Sequence, residues 1–387
     1  MYTSQQMNYA VLVEAARKLK IENNGDRRHA RIYQQELDRV QSELYPDIEP
    51  SILDVITGLF KTRLDEVRLD TLPEVYHLFL SNFINQYPQL VTRPESPPNS
   101  PEISQDRVGE LQQELHTRFK PAIEVVRQEV GGEITQKDMA TVMNIFMCEI
   151  GLPMAENQDD YQGWLCEPDE SFAGYRTNPA KRRMYAGRFS APSWSRFEEL
   201  AIHEAVVHAL RSENGAKIGA EAFRVGLPGN VMFEEGLGIL FEQLWRGKIK
   251  IELARDDFRY ITVAYADGHI DGEKHNETET MHFISSMMTA VEITNGASLD
   301  VNKLLDNARR LSYDHVRRAF RGMPPGTVLR SNLSYKHGKI EALKFVSAHP
   351  GISPADLIDY LLDGKFSPVN KKHVDIRRAL DLQPNFT

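Results

Sequence analysis

Apolar residues recur at helical spacing in LVEAARKL (12–19) and ILDVITGLFKTRLDEV (52–67), so residues 1–94 read as a helical N-terminal region. RPESPPNSPE (93–102) then places four prolines in ten residues, a composition that neither a helix nor a central strand accepts. Residues 95–103 are therefore expected to be an exposed linker, with a second domain over 104–387. The helical pattern resumes in DRVGELQQELHTRF (106–119) and TVMNIFMCEIGL (141–152). Between Gly163 and Ala191 it gives way to short segments rich in Trp, Tyr, Phe and Arg, which predict a small sheet. RMYAGRFSAPS (183–193) is expected to be an edge strand leading into the next helix, with an open side that could accept an extended peptide. Beyond residue 195 helices dominate to the end, and no internal repeat is evident. The fold class expected is α+β, predominantly α-helical, with a small sheet beside one helix.

That helix is SRFEELAIHEAVVHALRSENG (195–215). Ser195 and Glu198 have the spacing of a capping box, and Asn214-Gly215 is a stop signal. Apolar residues occupy every face between them, as in a buried helix. His203, Glu204 and His208 are thus polar groups whose burial without partners would cost about 1–3 kcal/mol each. H-E-x-x-H on a helix is a zinc-peptidase arrangement because positions i and i+4 share a face. Here the spacing is H-E-x-x-x-H, and positions i and i+5 lie roughly 140° apart on a regular α-helix. A shared metal therefore demands a local π-type widening between the two histidines. The alternative is two unrelated histidines, bonded to backbone or to acids.

NVMFEEGLGILFEQLW (230–245) reads as a second buried helix, opened by Asn230 as N-cap. Glu234 and Glu235 lie in its first turn, and Gly236 and Gly238 imply the close approach of another backbone. Charge at a helix N-terminus accounts for Glu234. Glu235 is left, and two histidines with one carboxylate make the donor set of a catalytic zinc site with an open fourth position. Manganese, iron and cobalt accept the same donors.

Composition narrows the classes. The chain has 387 residues and a formal net charge of −9, which argues against a general nucleic-acid or anionic-membrane binder. Two cysteines, Cys148 and Cys166, allow neither a disulfide framework nor a cysteine zinc module. No signal-peptide pattern and no apolar run of membrane-spanning length occur, so a soluble cytoplasmic protein is expected. HIDGEKHNETETMH (269–282) carries three histidines and four acids but reads as a solvated loop.

HEAVVHALRSENG followed by FEEGLGILFEQ resembles the tyrosine carboxypeptidase family, which includes the microtubule-associated, tubulin-detyrosinating enzymes and bacterial relatives. The family pattern H-E-x-x-x-H-x-x-R-x-x-N-G is matched by His203, Glu204, His208, Arg211, Asn214 and Gly215. The downstream E-G-L is matched by Glu235, Gly236 and Leu237, with Gly238 where Ala is usual. RRAFRGMP (317–324) resembles the R-x-x-R-G element and brings in Arg321 and Gly322. SNLSYKHG (331–338) keeps Tyr335 and Gly338, with Asn332 in place of Asp, and LLDGKFSP (361–368) also has the family's look.

The resemblance implies a gluzincin-like carboxypeptidase holding one zinc ion on His203, His208 and Glu235. Glu204 would be the general base. Arg211, Asn214 or Arg321 would read the substrate's terminal carboxylate, and Tyr335 would donate to the developing oxyanion. The substrate implied is a peptide or protein with a free C-terminal aromatic residue, and residues 1–94 could bind a protein partner. The alternative is a non-catalytic peptide-binding or regulatory protein keeping a structural metal, with a histidine of 269–282 closing the fourth position.

Overall fold

The computed structural model describes residues 55–56, 59–60, 67–90, 103–189, 192–219, 221–249, 254–296, 300–321, 323, 327–330, 333–380 and 382. The N-terminal helical pattern before residue 55, the linker prolines, Gly322 and Asn332 lie outside them. In chain order the described helices and strands are α1 (Glu74–Gln86), α2 (Gln105–Val130), α3 (Met139–Glu149), β1 (Leu165–Ala173), β2 (Tyr175–Asn178) and β3 (Arg183–Arg188). Then follow α4 (Trp194–Leu200), a π-helical segment (Ala201–Leu210), α5 (Arg211–Lys217), α6 (Glu221–Val225) and α7 (Asn230–Trp245). The remainder are α8 (Ala254–Ala266), α9 (Glu277–Thr294), α10 (Val301–Phe320), α11 (Leu333–Ser347), α12 (Pro354–Leu362) and α13 (Lys371–Ala379). This is the expected α+β class, mostly helical with one three-stranded sheet. No helix among the described residues is long and apolar enough to cross a membrane.

The chain divides into two compact units, and the linker is not their only boundary. Among the described residues, one unit takes those of 103–249 and 337–382, and the other takes those of 55–90 and 254–336. The physical reason is two separate apolar clusters. In the first, Val108, Leu115, Phe119, Phe146, Trp164, Phe197, Val206, Phe233 and Phe366 are buried together. In the second, Phe83 and Tyr87 of the α1 region pack with Tyr265, Phe283, Met287 and Ala319. Residues 252–336 thus share a core with α1, where the sequence reading had joined them to the metal helix.

In the first unit, α2 buries Val108, Leu111, Leu115, Phe119, Ile123 and Val126, an i, i+3/i+4 stripe. The Ser104 side chain caps it by accepting from Arg107 N–H at 3.2 Å. The sheet order is β1-β3-β2. β3 runs parallel to β1 (Leu165↔Arg183, Glu167↔Tyr185) and antiparallel to β2 (Tyr175↔Ala186, Thr177↔Met184). The segment expected to be an edge strand, 183–193, therefore contains the central strand, because pairing on both sides uses up its backbone groups; β1 and β2 are the edges. Two capping assignments also change. Ser193, not Ser195, caps α4 by accepting from Arg196 N–H, and Glu198 instead accepts from Trp245 Nε1 at 3.1 Å. The helix also runs through Asn214-Gly215 to Lys217.

Candidate metal centre

α4, the π segment and α5 form one continuous helix over 194–217. The widening that a metal shared by His203 and His208 requires is present: Ala201–Leu210 is π-helical, and Arg211 N–H donates to Val206 O, five residues back. The two imidazoles accordingly come together, with ring centroids 5.0 Å apart.

α7 packs against this segment and supplies the carboxylates. Gly229, in the left-handed region at φ +86°, precedes the helix, and Asn230 is its first residue rather than its cap. The Asn230 amide instead donates to Glu234 Oε2 at 2.6 Å. Gly236 crosses the backbone of Gly338 on α11 so closely that a Cβ on either would collide with the other helix. A Cβ at Gly238 would stand 2.6–2.8 Å from Cε1, Nε2 and Nδ1 of His203, so the glycine here makes room for the imidazole.

His203 Nδ1 lies 2.6 Å from Glu242 Oε1, and His208 Nδ1 lies 2.6 Å from Glu234 Oε1. A carboxylate at Nδ1 makes that nitrogen the N–H donor, so Nε2 is the nitrogen each ring could offer to a metal. Both Nε2 atoms face Glu235, at 3.7 Å for His203 and 3.9 Å for His208. These separations exceed hydrogen-bond length. They are near the ~3.4 Å expected between two donors each ~2.1 Å from one tetrahedral ion. One donor atom from each of His203, His208 and Glu235 lies within 4.8 Å of the others, and no other His/Cys/Asp/Glu group among the described residues converges this way. The donor set fits a divalent metal such as zinc.

Electrostatics binds the cluster together. Burial would lower the proton affinity of His203, but Glu235 and Glu242 outweigh it and hold the imidazole well above its ordinary pKa. Burial likewise works against ionisation of Glu235 and Glu242, and His203 more than offsets it, holding both below the usual carboxylate range. Glu234, 4% exposed, also accepts from Lys365 Nζ at 2.5 Å. Despite burial it is held far below the carboxylate range, first by Lys365 and then by His208. Lys365 is buried too, in a segment locked by Lys365 N–H to Phe223 O (2.7 Å) and Leu227 N–H to Lys365 O (3.0 Å).

The remaining residues singled out from the sequence fall in different settings. Glu204 Oε2 accepts from Thr177 Oγ1 of β2 at 2.6 Å. Arg211 is fully buried, donates from Nη2 to Phe366 O, and lies between the rings of Phe233 and Phe366. Burial pulls its pKa down to about 10. Asn214 donates to Leu362 O at 3.2 Å and accepts from Lys217 Nζ at 3.0 Å. Arg321 and Tyr335 belong to the other unit: Arg321 is exposed after α10, and Arg259 lies over the Tyr335 ring at 4.8 Å. Burial and Glu204 push the Cys166 thiol well above its ordinary pKa, so it is no thiolate nucleophile. Of the histidines of 269–282, His269 lies 3.5 Å from Asp267, and His275 is stacked on Tyr265 at 3.9 Å and lies 2.8 Å from Asp271.

Glu242 and Lys365 are the residues that motif reasoning missed. Glu242 had a readable signal, since it follows Glu235 by seven positions and Gly238 by four on one helix face. Lys365 had none, because its partner is 131 residues away.

Residues 188–255 match the family model described as microtubule-associated tyrosine carboxypeptidase. The matched stretch contains His203, Glu204, His208, Glu235 and Glu242, so it bears out the family resemblance and supports a tyrosine carboxypeptidase activity in general. No curated protein and no solved structure matches the chain.

Proposed function

We propose that the protein is a zinc-dependent carboxypeptidase that removes a C-terminal aromatic residue, Tyr or Phe, from a peptide or protein. The observation that carries this reading is the convergence of His203 Nε2, His208 Nε2 and Glu235 on a π-helical turn, within a segment that matches a carboxypeptidase family. The three residues would hold one zinc. A bound zinc supplies Lewis-acid chemistry, lowering the pKa of water from about 15.7 towards ~7 and polarising a carbonyl.

Glu204 takes the proton of the attacking water and delivers it to the leaving amine as the peptide C–N bond breaks. Glu242 and Glu234 hold the two imidazoles in the tautomer with Nε2 free. Arg211 donates to Phe366 O and Asn214 to Leu362 O, so both tie the metal helix to the segment that carries Lys365. Specificity for an aromatic end rests on the family match alone.

The test is mass spectrometry of a C-terminally diverse peptide library incubated with zinc-loaded protein and with Glu204→Gln. Loss of one C-terminal aromatic residue, absent in the variant, is the expected result. Cleavage within peptides or from the N-terminus would overturn the carboxypeptidase assignment. Cleavage unaffected by Glu204→Gln would overturn the base.

A further inference from the structure

The base of a hydrolytic site needs a fixed aim as well as a suitable residue type. Glu204 follows His203 on the π segment, and a carboxylate on a two-methylene stem can swing through several rotamers. The Thr177 hydroxyl makes the hydrogen bond that the structure gives its side chain among the described residues, Oγ1 to Oε2 at 2.6 Å.

We propose that Thr177 is the positioning residue for Glu204, fixing Oε2 so that Oε1 is the oxygen presented to the water. The proposal rests on the carboxypeptidase reading and adds to it a residue outside both sequence motifs and outside the matched stretch. Three features make Thr177 a rigid support. It lies on a strand, paired with Met184 in the antiparallel ladder with β3. Tyr175, two residues earlier and so on the same face, donates its hydroxyl to Met139 O at 2.7 Å and pins the strand to α3. Asn178, the next residue, accepts from Lys181 N–H at 3.3 Å and closes the following turn. Arg176 between them turns the other way, its guanidinium over Phe172 at 4.7 Å and Tyr185 at 5.5 Å, so it does not compete for Glu204. A β-branched threonine also has a restricted χ1, which fixes where its hydroxyl points.

The proton balance is simple. The water O–H bond breaks and its proton goes to Glu204 Oε1. That proton then passes from Oε1 to the departing nitrogen, restoring the carboxylate. Thr177 keeps its own proton throughout and serves as a donor that holds Oε2. Its effect is therefore on the fraction of time Glu204 is correctly placed, which enters kcat and not substrate binding. A misplacement of ~1 Å costs on the order of 10²-fold in rate.

The experiment compares wild type, Thr177→Val, Thr177→Ala and Thr177→Ser as full-length zinc-loaded proteins. The substrate is a peptide ending in Tyr. Zinc stoichiometry, thermal midpoint, kcat and KM are measured for each. The Glu204 carboxylate stretch is read separately by infrared difference against Glu204→Gln. The expected result is a kcat lower by about 10- to 100-fold in Thr177→Val and Thr177→Ala. KM stays within about threefold, zinc content is unchanged, and Thr177→Ser recovers most of the rate. The Glu204 band shifts in the Val and Ala proteins and not in Ser. An active wild type with equal kcat in Thr177→Val, a loss that Ser does not restore, or a loss that tracks zinc content would overturn the proposal alone. A wild type that binds zinc and releases no C-terminal residue would overturn the carboxypeptidase reading, and the proposal with it.

Discussion

Lys365→Met tests whether the C-terminal segment is part of the metal centre. The lysine is 4% exposed and its ammonium stands 2.5 Å from Glu234 Oε1, the same oxygen that faces His208 Nδ1. Methionine keeps the length of the stem and removes the cation. Glu234 then keeps the His208 and Asn230 N–H groups and the charge of Arg211 but has lost its directly bonded cation. Arg211 still acts on Glu234 through its charge but donates no hydrogen bond to it, its Nη2 being directed to Phe366 O. Removing one partner of a buried pair costs about 3–5 kcal/mol, since an uncompensated charge remains. Glu234→Gln alone strands Lys365 and should cost a similar amount. In the double variant neither charge is stranded, so its loss should fall short of the sum by about 2 kcal/mol or more. Equilibrium urea denaturation of the metal-free proteins reads these values. Competition with a chelator should show zinc binding about 10- to 100-fold weaker in Lys365→Met, because the Glu234 oxygen that faces His208 Nδ1 loses the cation that anchors it. A Lys365→Met protein within 1 kcal/mol of wild type, or strict additivity in the cycle, would refute the coupling.

Other consequences follow from the same geometry. Gly236→Ala would raise helix propensity by ~1 kcal/mol in isolation. Here the added methyl meets the Gly338 backbone, so a lowered Tm and loss of zinc are expected; a Tm at or above wild type would contradict the helix crossing. Glu242→Ala frees the His203 ring and should weaken zinc binding by about 10- to 100-fold while leaving Glu204→Gln-type inactivation unchanged in character; zinc titration checks it. Acidification should release the metal. His203 has a raised pKa and must shed a proton to bind, so apparent affinity falls as pH drops, by up to about tenfold per unit for that one displaced proton. Affinity independent of pH below 7 would contradict the imidazolium–carboxylate cluster.

Much of the site was legible because the H-E-x-x-x-H spacing is a physical contradiction on a regular α-helix. Two polar residues roughly 140° apart, on a helix apolar all round, share a ligand only if the helix widens. That demand is met over Ala201–Leu210. Glu235 was readable because adjacent acids in an apolar helix need cations. Glu234 was put down to charge at a helix N-terminus alone, since the cation that pairs with it, Lys365, lies 131 residues further along the chain. Arg211 shows the opposite case. The apolar residues around it in AVVHAL already implied burial, and the structure places it between Phe233 and Phe366. The sheet order escaped periodicity, because alternation along RMYAGR says nothing about how many neighbours a strand has. The unit boundaries escaped for a similar reason, as α8–α10 share a core with α1 across almost two hundred residues of sequence.

The most direct test of the centre is zinc K-edge X-ray absorption on the zinc-loaded protein, with His203→Ala and His208→Ala beside it. The spectrum should show two imidazole nitrogens and oxygen donors at about 2.0–2.1 Å. Each histidine variant should lose one imidazole or the metal altogether. A protein that takes up no stoichiometric zinc, or a spectrum that neither substitution alters, would contradict the assignment of His203, His208 and Glu235 as the metal-holding set.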